Sequence, residues 1–518
     1  MTYAVWGWGE STEEPTAADL TAMAPFVAET TGIPVQEPFR PRPLPDLPVP
    51  RVDVPAALQA LASDESADRA RHGIGRSYRD LVRAIRGEIA AVPDVVLRPR
   101  SEQHVVDVLD WAGSSGIAVV PFGGGTSVVG GTEPVGLDRC VSLDLQHLAG
   151  LVEVDARSRA VRLRAGTLGP AAEEALKPLG LTLRFYPQSF ERSSVGGWLA
   201  TRAAGHFSTR QTHVDDLVES VRAVTPTGIW ESRRLPASGA GPSPDRLLLG
   251  SEGTLGVITE TWLRAQPRPA FRWAATLAAP DFPAGAEAVR LLLQAGLTPA
   301  TCRLVDAAES TLTGTLATGE AALVLGFESL AVPLDAEAAV AVQVCLDAGL
   351  RVVESGARGG AGESWRSAFL RAPYLREQLV LLGVLVETFE TVVTWDRLDA
   401  LVAHVTTAVT DALVQVCGGG RVTCRLTHVY PDGAAPYFTV FAPSRRGSEV
   451  AQWDEVKSAA GEAILTAGGS ITHHHAVGRD HRPWYDRQRP DAFARALTAV
   501  KHELDPAGIL NPGVLLPR

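Results

Sequence analysis

Three segments rich in glycine and small residues constrain the fold of this chain more than any other feature. They are Pro121-Phe-Gly-Gly-Gly-Thr-Ser-Val-Val-Gly-Gly131, Ser193-Ser-Val-Gly-Gly-Trp-Leu-Ala-Thr-Arg-Ala-Ala-Gly205 and Leu249-Gly-Ser-Glu-Gly-Thr-Leu-Gly-Val-Ile258. Consecutive glycines let a backbone take φ > 0 and turn its amide N–H groups toward a pyrophosphate. The first segment follows the apolar strand Ile117 to Val120, and Thr126 and Ser127 add hydroxyl donors. It lacks both the G-x-G-x-x-G spacing that opens a Rossmann helix and the Gly-Lys-Ser/Thr of a P-loop. Three such segments separated by ordinary strands imply one long ligand touched in several places, as a dinucleotide would be.

Around these segments the chain reads as four stretches of α+β texture. Residues 1–87 open with prolines at 38, 41, 43, 45, 48 and 50, an extended strap, followed by a helical pattern over Ala56 to Ala62. Residues 88–269 hold short strands (Val95 to Arg98, Ala118 to Phe122, Cys140 to Leu143, Ala160 to Ala165, Glu219 to Thr225) and helices at His104 to Ser114 and Gly169 to Leu179. Residues 270–446 mix helices (Pro283 to Ala295, Ala336 to Ala348) with strands (Ala322 to Glu328, Arg421 to Tyr430), which predicts an antiparallel sheet backed by helices. Residues 447–518 carry a histidine cluster and a helix over Pro490 to Leu504.

A chain of 518 residues with 45% hydrophobic content can bury a core in each of two or three domains. Its net charge of −11 excludes a general nucleic-acid surface, which needs a basic face. Lys177, Lys457 and Lys501 are the only lysines, so nearly all the basic residues are arginine, and local arginine clusters could hold one anionic small molecule. Five scattered cysteines, with no C-x-x-C pair, fit a reducing compartment better than a disulfide framework. The longest apolar run, Leu379 to Val386, falls short of the ~18 residues that cross a bilayer. Met1 to Glu14 has no secretory pattern, so the expected location is cytoplasmic.

The run Gly468-Gly-Ser-Ile-Thr-His-His-His-Ala-Val-Gly478 places His473, His474 and His475 side by side. Successive side chains of an extended segment alternate sides, so at most two of the three can serve one pocket and the third is structural. Histidines in a row suit phosphate binding or proton transfer, and three imidazoles are also a zinc ligand set.

With these residues in view, the chain resembles a known family. Gly123 to Ser127, Gly196-Gly-Trp-Leu-Ala-Thr-Arg-Ala and Gly250-Ser-Glu-Gly-Thr-Leu-Gly-Val are similar to the vanillyl-alcohol-oxidase (PCMH) type of FAD-binding domain. Within it the chain most resembles the alkyldihydroxyacetonephosphate synthases, from Trp6-Gly-Trp-Gly9 through Glu387-Thr-Phe-Glu-Thr391, Trp395-Asp and Cys424-Arg-Leu-Thr-His428 to the triple His. The resemblance implies a two-part FAD domain, a substrate-holding cap and a C-terminal segment that returns the histidines to the flavin. It also implies a reaction without net redox change: FAD N5 adds to C1 of acyl-dihydroxyacetone phosphate, the fatty acid leaves and a fatty alcohol takes its place.

By the same resemblance Tyr437 matches the catalytic tyrosine, whose phenol can shuttle the C1 proton if neighbouring cations lower its pKa. Arg376 matches the arginine that meets substrate, suited to a departing carboxylate or a phosphate. His473, His474 and His475 match the triple His beside the flavin, and no metal is expected. FAD contacts are expected from Pro121, Gly123, Gly124, Gly125, Thr126, Ser127, Gln188, Ser189, Ser193, Ser194, Thr201, Arg202, Ala203, Ala204, Glu252, Gly253, Thr254, Gly256, Val257 and Ile258. Thr126 stands where relatives that tether FAD carry His or Cys, so attachment is expected to be non-covalent.

Exposed apolar helices near Leu375 to Val386 are candidates for an acyl tunnel. Lipid-like substrates imply contact with a membrane surface without spanning it, and the family expectation is a homodimer. Two departures stand out: Ala476 replaces the glycine that follows the third His, and Asp432-Gly-Ala-Ala-Pro436 precedes Tyr437. The rival reading is an FAD-dependent 2-hydroxy acid dehydrogenase, supported by Ile509-Leu-Asn-Pro-Gly513. Against it, His428 lacks the second His that such enzymes place shortly after it, and His474 stands where a Glu ligand is expected.

Overall fold

A computed structural model describes residues 5–9, 14–89, 91–207, 209, 213–316, 319–356 and 374–518. Pro373, in the motif around Arg376, lies outside them. The first sheet joins β1 (Ala62–Ser63), β2 (Val95–Leu97), β3 (Ala118–Phe122) and β4 (Cys140–Asp144) in the order β1-β2-β4-β3. The β2–β4 and β3–β4 pairs are parallel, and all three strands are largely buried, as near-continuous apolar runs in parallel strands are. A five-stranded antiparallel sheet follows: β5 (Leu151–Asp155), β6 (Ala160–Arg164), β8 (Val218–Thr225), β9 (Gly228–Glu231) and β10 (Val257–Arg264), ordered β5-β6-β10-β8-β9. A small ribbon pairs β7 (Leu181–Thr182) with β11 (Gln266–Pro267). The two sheets share one apolar core, in which Val161, Leu163, Trp198, Val221 and Val257 are fully shielded.

The third sheet has eight antiparallel strands: β12 (Phe271–Ala279), β13 (Thr301–Val305), β14 (Ala321–Ser329), β15 (Arg351–Gly356), β16 (Val384–Glu390), β17 (Val393–Thr394), β18 (Arg421–Val429) and β19 (Gly433–Pro443). Their order is β15-β12-β14-β13-β18-β19-β16, with β17 also on β19. Helices Phe282–Gln294 and Trp395–Cys417 pack on this sheet. Alternation decides the rest: Cys424, Leu426, Phe438 and Val440 enter the core with Leu401, so Thr423, Arg425, Tyr437 and Thr439 point the other way. The two-subdomain flavin fold with an antiparallel, helix-backed cap is thus the architecture observed.

Local differences from the sequence reading have local causes. The pattern over Ala56 to Ala62 yields only the 3-10 turn Gln59–Leu61, because Ala62 and Ser63 pair with Leu97 and Val96 as β1. Leu375 to Val386 is not one exposed helix: it is helical across 374–381, breaks at Gly383 (φ +79) and continues as β16. Most of it is buried. The helix Trp395–Cys417 is long and apolar enough, by length and composition, to cross a membrane, which contiguous runs did not reveal. Its Leu398, Leu401, Val405, Val409 and Leu413 form a buried stripe at helical spacing that is spent on the cap core.

Candidate active site

One cavity of about 590 Å³ runs between the glycine segments and the cap sheet. At one end β3 delivers the chain into Gly123 to Ser127. A side chain on Gly124 would collide with the Arg192 carbonyl, and Gly125 adopts φ +65, so these two positions need glycine for distinct reasons. Behind them the Ser193 hydroxyl accepts from the Trp198 indole at 2.7 Å, and Ser194 caps the helix Val195–Thr201 by accepting from Gly197 N. The Ser127 hydroxyl accepts from Gly131 N at 3.0 Å, which fixes the loop's far end.

Glu252 joins the glycine segments to the histidine run. It sits at φ +53 and accepts from Val477 N at 2.9 Å and Gly478 N at 2.8 Å, while Asn511 donates to its carbonyl at 2.8 Å. Burial raises its carboxyl to about 7 against the pull of those two N–H groups. A raised folded pKa favours the folded state fully below the unfolded value and loses that advantage as pH rises through about 7. Relative to the wild type, Glu252→Gln should therefore gain stability as pH rises from 4.5 to 7 and level off beyond. Paired thermal melts across that range check the slope.

At the other end Glu390 organises the histidines. Its Oε1 accepts from the backbone N–H of His473 (2.9 Å), His474 (2.7 Å) and His475 (2.9 Å) and from the Thr472 hydroxyl (2.8 Å). Its Oε2 lies 2.6 Å from His474 Nδ1. Burial would raise this carboxyl, but His474, His475 and the hydrogen bonds hold it well below the usual range. Burial, reinforced by the neighbouring imidazoles, keeps His428 and His473 neutral and pushes His475 down to about 3 against the pull of Glu390. Ala476 takes φ +72, so the missing glycine is tolerated at the cost of left-handed strain, ~1 kcal/mol.

Tyr437 lies on β19 directly opposite both Glu390 of β16 and Arg425 of β18. The Arg425 guanidinium lies 4.1 Å over its ring and is bound to Glu309 at 2.5 Å. The rings of His475 and His474 stand 5.5 and 6.3 Å from it. Here the expectation of a lowered phenol pKa is corrected: burial raises it, and Arg425 and the Thr388 hydrogen bond only partly compensate. Tyr437 is therefore a protonated phenol in the resting site, a proton donor before it is an acceptor.

Most of the residues singled out in the sequence line this cavity: Pro121, Gly123 to Ser127, Gln188, Ser189, Ser193, Ser194, Thr201, Ala203, Ala204, Glu252, Gly253, Gly256, Ile258, Arg376, Tyr437, His474 and His475. Arg376 also donates to the Arg76 carbonyl instead of making a surface ion pair. Four do not line it. His473 lies behind, 2.6 Å from the Tyr430 hydroxyl and stacked on His428, and is the structural member of the row. Arg202 closes its helix in the left-handed region and pairs with Asp215. The Thr254 hydroxyl turns back to the Ser251 carbonyl, and Val257 points into the core from the opposite face of β10 to Ile258.

Glu309, Arg425 and Trp8 also line the cavity and Glu390 braces it, yet the sequence alone assigned them no role, although Glu390, Arg425 and Trp8 lie in motifs quoted above. The signal available was their period-2 spacing in Glu387 to Thr391 and Cys424 to His428. Glu390, His474 and His475, and likewise His428, His473 and His474, bring one ligand atom each within 4.8 Å, a donor set of the kind that takes a divalent ion.

Comparison with known proteins agrees with this geometry. Residues 93–232 match the family of FAD binding domains, and residues 268–515 the C-terminal domain of FAD linked oxidases. An alkyldihydroxyacetonephosphate synthase of Caenorhabditis elegans is 30% identical over 91% of this chain and 84% of its own length. One from Dictyostelium discoideum is 28% identical over 88% and 78%. A solved alkyldihydroxyacetonephosphate synthase superimposes with a TM-score of 0.77 at 25% identity, covering 95% of this chain and 92% of its own.

Proposed function

The chain belongs to the alkyldihydroxyacetonephosphate synthase family, and on that premise we propose that the cavity exchanges the acyl group of acyl-dihydroxyacetone phosphate for a fatty alcohol, the alcohol oxygen replacing the acyl carboxylate at C1. It is an FAD-dependent transferase that forms an ether-lipid precursor. The observation that carries the reading is continuity: one cavity joins the glycine cradle, Tyr437 with His474 and His475, and an apolar wall of Leu312, Leu379, Val386 and Phe441.

The cradle fits the cofactor, since the loop Gly123 to Ser127 lines the cavity with Ser193 and Ser194 and is held there by close approach of Gly123 to Ser194 and of Gly124 to Arg192. FAD would lie against Gly123 to Ser127, Ser193, Ser194 and Glu252 to Gly256. When bound, it supplies the electron-rich centre that holds C1 while one oxygen substituent replaces another. The protein's own groups do the rest: His475, kept neutral, is the base that receives the proton C1 gives up, the Tyr437 phenol, protonated at rest, returns a proton to C1 and is reprotonated from His475 beside it, and Arg376 binds an anionic group of the substrate.

The test is incubation of the holoprotein with acyl-dihydroxyacetone phosphate and labelled hexadecanol. Labelled ether product should form with no oxidant consumed, and its absence would overturn the reading. A 2-hydroxy acid added without oxygen should leave the flavin colour unchanged. With Thr126 at the tethering position, the reading includes non-covalent FAD, so acid precipitation should leave all the yellow colour in the supernatant. Lipid-like substrates further support contact with a membrane surface without spanning it, the family likeness supports a homodimer, and the free cysteines support a reducing compartment such as the cytoplasm.

A further inference from the structure

A row of three threonines separates the reacting end of the cavity from its apolar end. Thr388 faces Thr439 across β16 and β19, and Thr439 faces Thr423 across β19 and β18. The row nearer the histidines is Glu390, Tyr437 and Arg425, and the row beyond contains Val386 and Phe441. Two hydroxyls are already engaged, Thr388 with Tyr437 and Thr423 with Glu309 at 3.1 Å.

Thr439 Oγ1 is buried without a partner, and so is Arg425 Nε. Both residues line the cavity. Two unmet buried donors on adjacent rows mark a place for a ligand that only accepts. The local charge agrees. Arg425 and Arg303 bring two cations against Glu309, whose oxygens are bound by Arg425 and Thr423. A carboxylate offers lone pairs to both donors and a negative charge to the guanidinium, whereas an alcohol head offers one neutral oxygen.

We propose that Arg425 and Thr439 form a carboxylate subsite: they receive the head of the long-chain acyl group as it leaves, its tail lying along Leu312, Leu379, Val386 and Phe441. Arg376, on the separate helix across 374–381, is then free to take the phosphate. The assignment rests on the exchange reaction proposed above, but it is read by binding and not by turnover, so the two can fail separately.

Thr439→Val removes one hydroxyl and keeps the volume. Holoprotein and variant are titrated with decanoate and, separately, with 1-decanol, following the flavin absorbance. The variant should bind decanoate about ten-fold more weakly, the worth of one hydrogen bond to a charged group, with 1-decanol within about two-fold. Unchanged decanoate affinity, an equal loss for both ligands, or a wild type that does not bind decanoate would each overturn the subsite. Failure to form ether product in the exchange assay would overturn the reaction and leave the binding result standing.

Discussion

Tyr437→Phe should lower the exchange rate by about 10²- to 10⁴-fold, the span of a general acid–base group, while the flavin stays bound. The substitution removes only the phenol oxygen. The ring remains under the Arg425 guanidinium and beside His475, and the strand register with Glu390 and Arg425 does not involve the hydroxyl. Flavin content by absorbance and the melting temperature should match the wild type. A variant that exchanges at full rate would remove the phenol from the chemistry.

Glu390→Ala should be more damaging, because it strikes fold and site together. One buried carboxylate oxygen accepts three successive backbone N–H groups and a hydroxyl, so its loss leaves four donors unmet. Removing a buried charge that others depend on costs roughly 3–5 kcal/mol. The measurement is a thermal melt together with the exchange assay: melting should fall by several degrees and product formation should be lost even where the protein remains folded. Sign follows from the same carboxyl. Held below its unfolded value of 4.5, it contributes stability above that pH and loses it on acidification, so the gap between wild type and variant should close as pH falls below 4.5. A gap that widened in acid would contradict the assigned role.

How much of this was legible in the sequence follows from the range of the forces involved. The glycine loop was readable because Gly124 and Gly125 answer to local geometry, a near collision and a positive φ. Tertiary context overrode the local pattern at Ala56 to Ala62, where a strand partner 35 residues away in sequence, Leu97 for Ala62, decided the conformation. The row Glu390, Tyr437 and Arg425 was not readable, because cross-strand register depends on pairing and a one-residue slip would turn all three to the other face. The bulge between Leu426 and His428 adds a shift that no alternation predicts. His473 illustrates the same limit: alternation told that one imidazole of three must turn away, and only Tyr430 and His428 decide which.

Leu510 lies alongside Val119 as a parallel bridge, with Val119 N donating to Ile509 O and Asn511 N to Val119 O, while Val514, Leu515 and Leu516 enter the first core. On a ribosome the glycine loop emerges almost four hundred residues before the segment that braces the strand feeding it. The brace of the cofactor loop is therefore among the last parts of the molecule to be made, so the flavin module is completed only after the cap that interrupts it.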